Sequence, residues 1–484
     1  MLFVRLALAP SVSCHSEPTG EHVPLNFLRN EAHWPITAAC GITRTPSSRK
    51  SVHARHKESL AGLGLADHTS AVDLSMDPAE FRMRTRFVVK LGCALHECGT
   101  TSQRVERHLM NVTHMLGLNG SVMISPTTFT CAFWEDDELD QFIHIERVEP
   151  AEINLGRLWK IDCLVESMAD KSISFSEGIE QLERASTAPW NYSYAANAIS
   201  WALIGGSFAA LLSANAQDCI AATLLSSIFF FITDWGLRHV SWKPVVTILA
   251  PFVSGVLASA LSALGIDINV PFVILSSIIV FIPGLALTLA LTEISAGHLI
   301  SGTSRLVDAA MLLLKLFFGV ISGMAVANFL FRVHGDVTVH LPPLPDWKTW
   351  PAVAGLSLGL GVAFNIPQCK IWWGLLSSAL AFGVASVGAA WFGMYAGMFI
   401  GSLAVGLFSN AYSRVTRGSS SILMTQGILL LVPGSKTYMI LNHWVSGENI
   451  LPGATSGNQA LMVFVALVAG LLFSSALLPT QKSL

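Results

Sequence analysis

From residue 195 onward the chain is a succession of apolar runs, each long enough to cross a bilayer and separated by short clusters of Gly, Pro, Asn and charged side chains. About 20 apolar residues wound as a helix span the hydrocarbon layer. The pattern predicts spans at 195–213, 219–235, 245–264, 270–291, 306–331, 347–364, 371–388, 391–408, 420–441 and 459–478. The stretch 371–408 must hold two helices, because one straight helix of that length would measure about 57 Å.

Residues 77–190 show a different pattern. Asp77 and Pro78 suit the start of a helix, since Asp can cap free amides and Pro fits the first turn. Phe81, Phe87, Val88, Leu91, Leu95, Leu109 and Met110 then recur at near-helical spacing, which predicts an amphipathic helix or a helix pair. SVMISPTTFTCAFW and QFIHIERV are β-rich and flank the acidic segment Glu135–Asp140, so they are expected to form a hairpin. Helical periodicity returns in INLGRLWKIDCLVESMAD, and Ser174 with Glu177 has the spacing of a capping box. These residues predict a small α+β domain. Residues 1–76, rich in Ser, Thr, Pro, His and Arg, show no sustained period and are expected to be a disordered tail. Their opening apolar stretch is interrupted by Arg5 and closed by Pro10, too short for a signal core, and Met76 could itself serve as an initiator.

Charge sharpens this division. Of the 61 Asp, Glu, Lys and Arg residues, 42 lie in the first 190 positions and 19 in the remaining 294. A formal net charge of -3 supplies no basic field for nucleic acid, so that partner is excluded. The eight cysteines form no CxxC pair and no zinc-type spacing, and neither a metal nor another cofactor is expected. Arg184, Arg238, Lys243, Arg305, Lys370, Arg414, Arg417 and Lys482 fall on one side of the predicted spans, with Arg332, Lys348 and Lys436 as exceptions. By the positive-inside rule both termini and the α+β domain are cytoplasmic, which predicts a multi-pass plasma-membrane protein.

The membrane half also repeats. A shift of 150 residues overlays Asn215 on Asn365, Cys219 on Cys369, Pro283 on Pro433, Gly284 on Gly434 and Gly297 on Gly447. Each copy, 191–340 and 341–484, holds five predicted spans. An odd number inverts the second copy relative to the first. The expected fold is therefore an α-helical polytopic membrane protein of about ten helices, as two inverted five-helix repeats, preceded by a small α+β cytoplasmic domain. Inverted repeats build many secondary transporters, whose halves rock about a central site.

Candidate chemistry centres on the paired FIPG (Phe281 to Pro283 and Gly284) and LVPG (Leu431 to Pro433 and Gly434) within apolar spans. Proline removes a backbone donor and glycine loosens the next turn, so each helix should break and free backbone groups for a solute. Ionisable groups in spans are costly and usually face a partner or a cavity. Asp308 and Lys315 share a helix face, and Thr288, Thr292, Glu293 and Arg305 flank the first break. A zwitterionic amino acid needs an anion-binding element and an acceptor for its ammonium. Arg305 or a broken-helix N-terminus could supply the first, and Glu293 or Asp308 the second or a coupled proton. Gln426, Ser435, Lys436, Tyr438, Asn442 and His443 surround the second break. A packed kink, a structural Asp308–Lys315 pair, and a solvated loop position for Glu293 are the competing readings. His96, Glu97, Cys98 and His108 invite a metal or catalytic role, but no HExxH or nucleophile motif accompanies them.

LHECGTTSQRVERHLMNVTHMLGL, the β-rich run and IPGLALTLALTEISAGHLISGTSRLVDAAMLLLKLFFG, with its Pro-Gly and Gly302-Thr-Ser-Arg305, resemble the threonine/serine exporter family over about residues 81 to 480. The second five spans, with LLLVPGSKTYMI, resemble a module that some members encode separately. The resemblance implies efflux of threonine, serine or related small solutes, with coupling protons, and leaves a homo-oligomer open. Lys315 has no place in the family pattern. Export of another organic acid such as a dicarboxylate, and a membrane-anchored hydrolase acting through the α+β domain, are the alternative readings.

Overall fold

The computed structural model describes residues 77–134, 141–148, 153–187, 189–212, 214–331, 346–416, 418–431 and 457–479. Helices α1 (Pro78–His96) and α2 (Ser102–Met115) come first. They are a pair, because Gly99 takes a φ of 73° that L side chains resist. His96 and His108 thus sit on different helices. Pro126 and Thr127 form a turn that splits the first β-rich run, so three strands appear where a hairpin was expected. β1 (Asn119–Ser125), β2 (Thr128–Trp134) and β3 (Gln141–Arg147) pair antiparallel in the order β1-β2-β3, with Val122 opposite Cys131 and Cys131 opposite His144. Phe129, Cys131 and Phe133 alternate inward from β2 and are fully buried. Gly92 of α1 lets Phe129 approach, since a Cβ there would lie 2.5 Å from the ring. The expected turn Glu135–Asp140 lies outside the described residues. Helices α3 (Leu155–Ala169) and α4 (Phe175–Ser186) complete this part, and Ser174 with Glu177 does form the capping box.

The apolar half is helical throughout its described length: α5 (Tyr194–Leu211), α6 (Ala216–Arg238), α7 (Val246–Ala263), α8 (Val270–Ile278), α9 (Gly284–Ser295), α10 (Leu299–Phe331), α11 (Thr349–Ala363), α12 (Ile371–Phe392), α13 (Met394–Thr416), α14 (Ser420–Leu431) and α15 (Gly457–Leu477). Six of these, α5, α6, α7, α10, α12 and α13, are long and apolar enough to cross a membrane, and the bent pair α8 and α9 makes a seventh. α11, α14 and the Leu461–Leu477 part of α15 are shorter apolar helices. Between 28% and 44% of each long span is buried inside the protein, so most of its apolar surface faces outward. Such a surface fits lipid, not water. The chain is a polytopic α-helical membrane protein.

Small residues bring the helices together, as packing within lipid requires. On α11, a Cβ at Gly359 would meet Ile204 at 2.6 Å and the Ser200 carbonyl at 2.9 Å, and one at Gly355 would meet Ser207 at 2.4 Å. The α5 partners rise in number as the α11 positions fall, so the two helices run antiparallel. Gly319 and Gly323 of α10 lie against the backbone of α7, while Gly406 of α13 and Gly470 of α15 lie against Ser474 and Ser402. α10 therefore packs on α7 as α15 packs on α13.

Candidate functional site

The predicted break is present. α8 ends at Ile278, a tight turn covers Ile279–Phe281, and α9 restarts at Gly284 with a bend of 53°. Pro283 heads α9 without a side-chain cap. The Leu287 amide is the first taken by the new helix, donating to the Pro283 carbonyl at 2.9 Å. The Leu285 and Ala286 amides before it have no partner among the described residues. An uncapped helix start carries partial positive charge and open donors. Both residues line a cavity of about 730 Å³ between the two halves, together with Pro283, Gly284, Lys315, Leu356, Leu360 and Leu431. Most of its wall is apolar. Lys315 contributes one of its few charges.

The residues expected to flank the break divide into separate places. Thr288 and Thr292 spend their hydroxyls on the Gly284 and Thr288 carbonyls, at 3.1 and 2.8 Å. Glu293 lies at the other end of α9, only 1% exposed, so it is no solvated loop residue. Its carboxylate accepts from the Ser102 amide at 2.9 Å, the first residue of α2, and from Ser301 Oγ at 3.0 Å. Ser301 gives its proton to Glu293, so at 2.7 Å Ser102 Oγ donates to Ser301 Oγ. Arg305 completes the cluster, with Nη2 donating to Oε1 at 3.4 Å and Nε in ion-pair range of Oε2 at 3.3 Å, without hydrogen-bond alignment.

Arg305 belongs to a helix, not a loop, because α10 begins at Leu299, seven residues before the expected span. At 33 residues it is about 50 Å long, well beyond the hydrocarbon thickness. Asp308 is exposed on that helix, apart from the Glu293 cluster, and makes no ion pair with Lys315. Gln426 is buried on α14, donating to the Ser357 carbonyl at 2.5 Å and to Ser357 Oγ at 3.1 Å. Pro433, Gly434, Ser435, Tyr438 and Asn442, with Lys436 and His443, lie outside the described residues.

Several junction residues carry no periodic signal, and sequence reasoning misses them. Asn365, at a φ of 58°, donates Nδ2 to Asn154 Oδ1 at 2.9 Å and accepts from the Asn191 amide at 2.9 Å. Gly156 permits this approach, since a Cβ there would stand 2.4 Å from the Asn365 carbonyl. Arg104 donates to Ser419 Oγ at 3.2 Å, and Glu106 lies 3.5 Å from His298 Nδ1. Thr100 and Thr101, directly before α2, resemble a helix start and are a cue in sequence for this junction. All these contacts involve the ends of α9 and α11 and the starts of α5, α10 and α14. Among the described residues no three His, Cys, Asp or Glu side chains gather as a metal site.

A bundle of apolar helices, one broken at Pro-Gly over an internal cavity, defines a polytopic membrane protein with the kind of discontinuous helix that many transporter folds contain. Two profiles match the chain. "Putative threonine/serine exporter" covers residues 86–327 and "Threonine/Serine exporter, ThrE" covers 352–477. The chain belongs to the threonine/serine exporter family. It is 22% identical over 440 residues to pheromone-regulated membrane protein 10 of Eremothecium gossypii, covering 84% of this chain and 58% of that one. It is 21% identical over 430 residues to the protein of that name in Zygosaccharomyces rouxii, covering 82% and 43%. To a threonine/serine exporter of Corynebacterium glutamicum it is 22% identical over 434 residues, covering 85% and 83%. The chain thus spans about half the length of the yeast relatives and most of the bacterial one. No solved structure matches it.

Proposed function

We propose that the protein is a secondary transporter that exports small hydrophilic amino acids, threonine and serine among them, driven by the proton motive force across the plasma membrane. The observation that carries this reading is the uncapped start of α9 at a cavity between two halves whose first helices run antiparallel. Leu285 and Ala286 present amides to a carboxylate there, and Pro283 keeps the break open.

The two halves are copies in inverted orientation. α8 begins at Val270 and α14 at Ser420, 150 residues apart, and α5 packs on α11, its own counterpart. A two-fold axis in the membrane plane generates that contact. Asn365 at the end of α11, Glu293 at the end of α9 and Ser419 before α14 all meet the α+β elements, as an odd count of crossings per copy requires. Arg305, Lys370 and Arg414 belong to the same side, which makes it cytoplasmic. Residues 77–190, 191–340 and 341–484 are then the cytoplasmic domain and the two membrane repeats. Glu293, buried against Arg305, is the acidic group best placed to exchange the coupled proton.

Reconstituted protein loaded with labelled threonine, serine and succinate in parallel tests the reading. Flux of threonine and serine, accelerated by an imposed pH gradient, is expected. Succinate alone moving would favour an organic-acid carrier, and no gradient response would remove proton coupling.

A further inference from the structure

A second cavity, of about 300 Å³, lies where the α+β part meets the apolar helices. Gln103, Arg104 and Arg107 of α2 line one side, and Ser421 and Thr425 of α14 and Asn410 of α13 line the other. Its lining is more polar in character than that of the large cavity, and it is large enough for a small solute by the usual scale of ligand pockets.

Positive groups gather at this cavity. α2 and α14 both begin at this cavity, so two helix N-termini converge on it. Arg104 is sunk in the wall, where Ser419 Oγ takes one of its N–H groups, and no carboxylate lies within 4 Å of it among the described residues. Asp162, itself buried, is the acidic group whose charge acts on Arg104, outside ion-pair distance. A guanidinium taken from water with so few acceptors is costly unless an anion joins it. Arg107, more exposed, adds a second fork.

Position links the two cavities. Ile153 and Leu285 line both of them, and Leu285 comes immediately after Gly284 of the break. These two apolar side chains stand between the polar chamber and the open start of α9.

We infer that this chamber is a cytoplasmic vestibule that binds the carboxylate of a small amino acid through Arg104 and Arg107 before the solute passes Ile153 and Leu285 to the break. The inference deepens the exporter reading and rests on it. It makes the α+β part a wall of the substrate path instead of an appendage, with Gln103 and Thr425 selecting for a short polar side chain.

Calorimetric titration of the purified full-length protein in detergent tests this, with L-threonine, L-serine and L-threoninol as probes. Threonine and serine should bind and threoninol, which lacks the carboxylate, should bind at least about tenfold more weakly, the factor that one lost charge-assisted contact gives. Arg107→Ala and the cavity-filling Thr425→Phe should each weaken threonine binding by about tenfold or more. Arg104→Lys keeps the buried charge and should weaken it less than Arg107→Ala. Equal binding of threonine and threoninol would overturn the inference. So would unchanged affinity in Arg107→Ala and Thr425→Phe together with lost affinity in Ala286→Trp, which places the ligand at the break alone and leaves the exporter reading standing. If no amino acid binds and none is moved in proteoliposomes, both fall.

Discussion

Glu293 joins the α+β part to the start of α10 through three polar partners. A carboxylate at 1% exposure is tolerated because a backbone amide, a hydroxyl and a guanidinium surround it. Glu293→Ala removes the acceptor for all three and leaves Arg305 without its anion. It should destabilise the protein by about 3–5 kcal/mol, read as a lower melting temperature of the purified chain. Glu293→Gln keeps the acceptor oxygen and should fold, yet cut gradient-driven flux at least tenfold. Asp308→Asn, on an exposed position, should leave flux near the parent value. Equal loss in both variants would show that local charge matters, not the cluster. The sequence placed Glu293 and Asp308 side by side as candidates. What it could not show is that α10 starts at Leu299, which carries Arg305 to Glu293 and turns Asp308 away.

Asp162 contributes to the pH dependence of the α+β part. Burial raises its pKa above the ordinary carboxylate value, although Arg104 pulls the other way. A folded-state pKa above the unfolded one means that the native chain holds the proton longer. Stability from this group is therefore largest below the unfolded value near 3.9, and is lost as pH rises toward the folded pKa. In Asp162→Asn that part of the slope should vanish from a melting-temperature series against pH, whatever the constant offset from leaving Arg104 alone. An unchanged slope would assign it to other groups.

Among the elements, the α2 start and the α9–α10 turn form the most testable contact. Ser102 and Ser301 hydroxyls are 2.7 Å apart although 199 residues separate them in sequence. Ser102→Cys with Ser301→Cys should therefore form a disulfide under mild oxidation, scored by loss of free thiol, and failure to cross-link would mean that α2 does not dock there. Gly359→Leu would drive a side chain into Ile204 and the Ser200 carbonyl. It should cost about 1–3 kcal/mol through the α5–α11 contact, seen again in melting. Helix and strand positions were largely legible, because long apolar runs, the Ser174 capping box and Pro283 act through local rules. The first β run divides at Pro126, where Ser125-Pro126 is a turn signal that the β-branched residues on either side outweigh in a reading by periodicity. Asn154 with Asn365 and Arg104 with Ser419 were invisible for another reason: single polar residues 211 and 315 positions apart leave no period to read.

At the scale of the whole molecule, one arrangement explains the uneven charge, the shift of 150 residues and the antiparallel α5 and α11. We propose that two copies of a five-helix unit face opposite ways, with their cytoplasmic ends covered by the α+β elements and a broken helix opening onto the space between them. Leu264 comes directly after α7 and Val415 lies in the last turn of its counterpart α13, and both are exposed, at 78% and 83%. Sided thiol labelling of Leu264→Cys and Val415→Cys in intact cells addresses that arrangement directly. An impermeant reagent should reach Leu264→Cys from outside and Val415→Cys only after the membrane is opened. Labelling of both from the same side would contradict it.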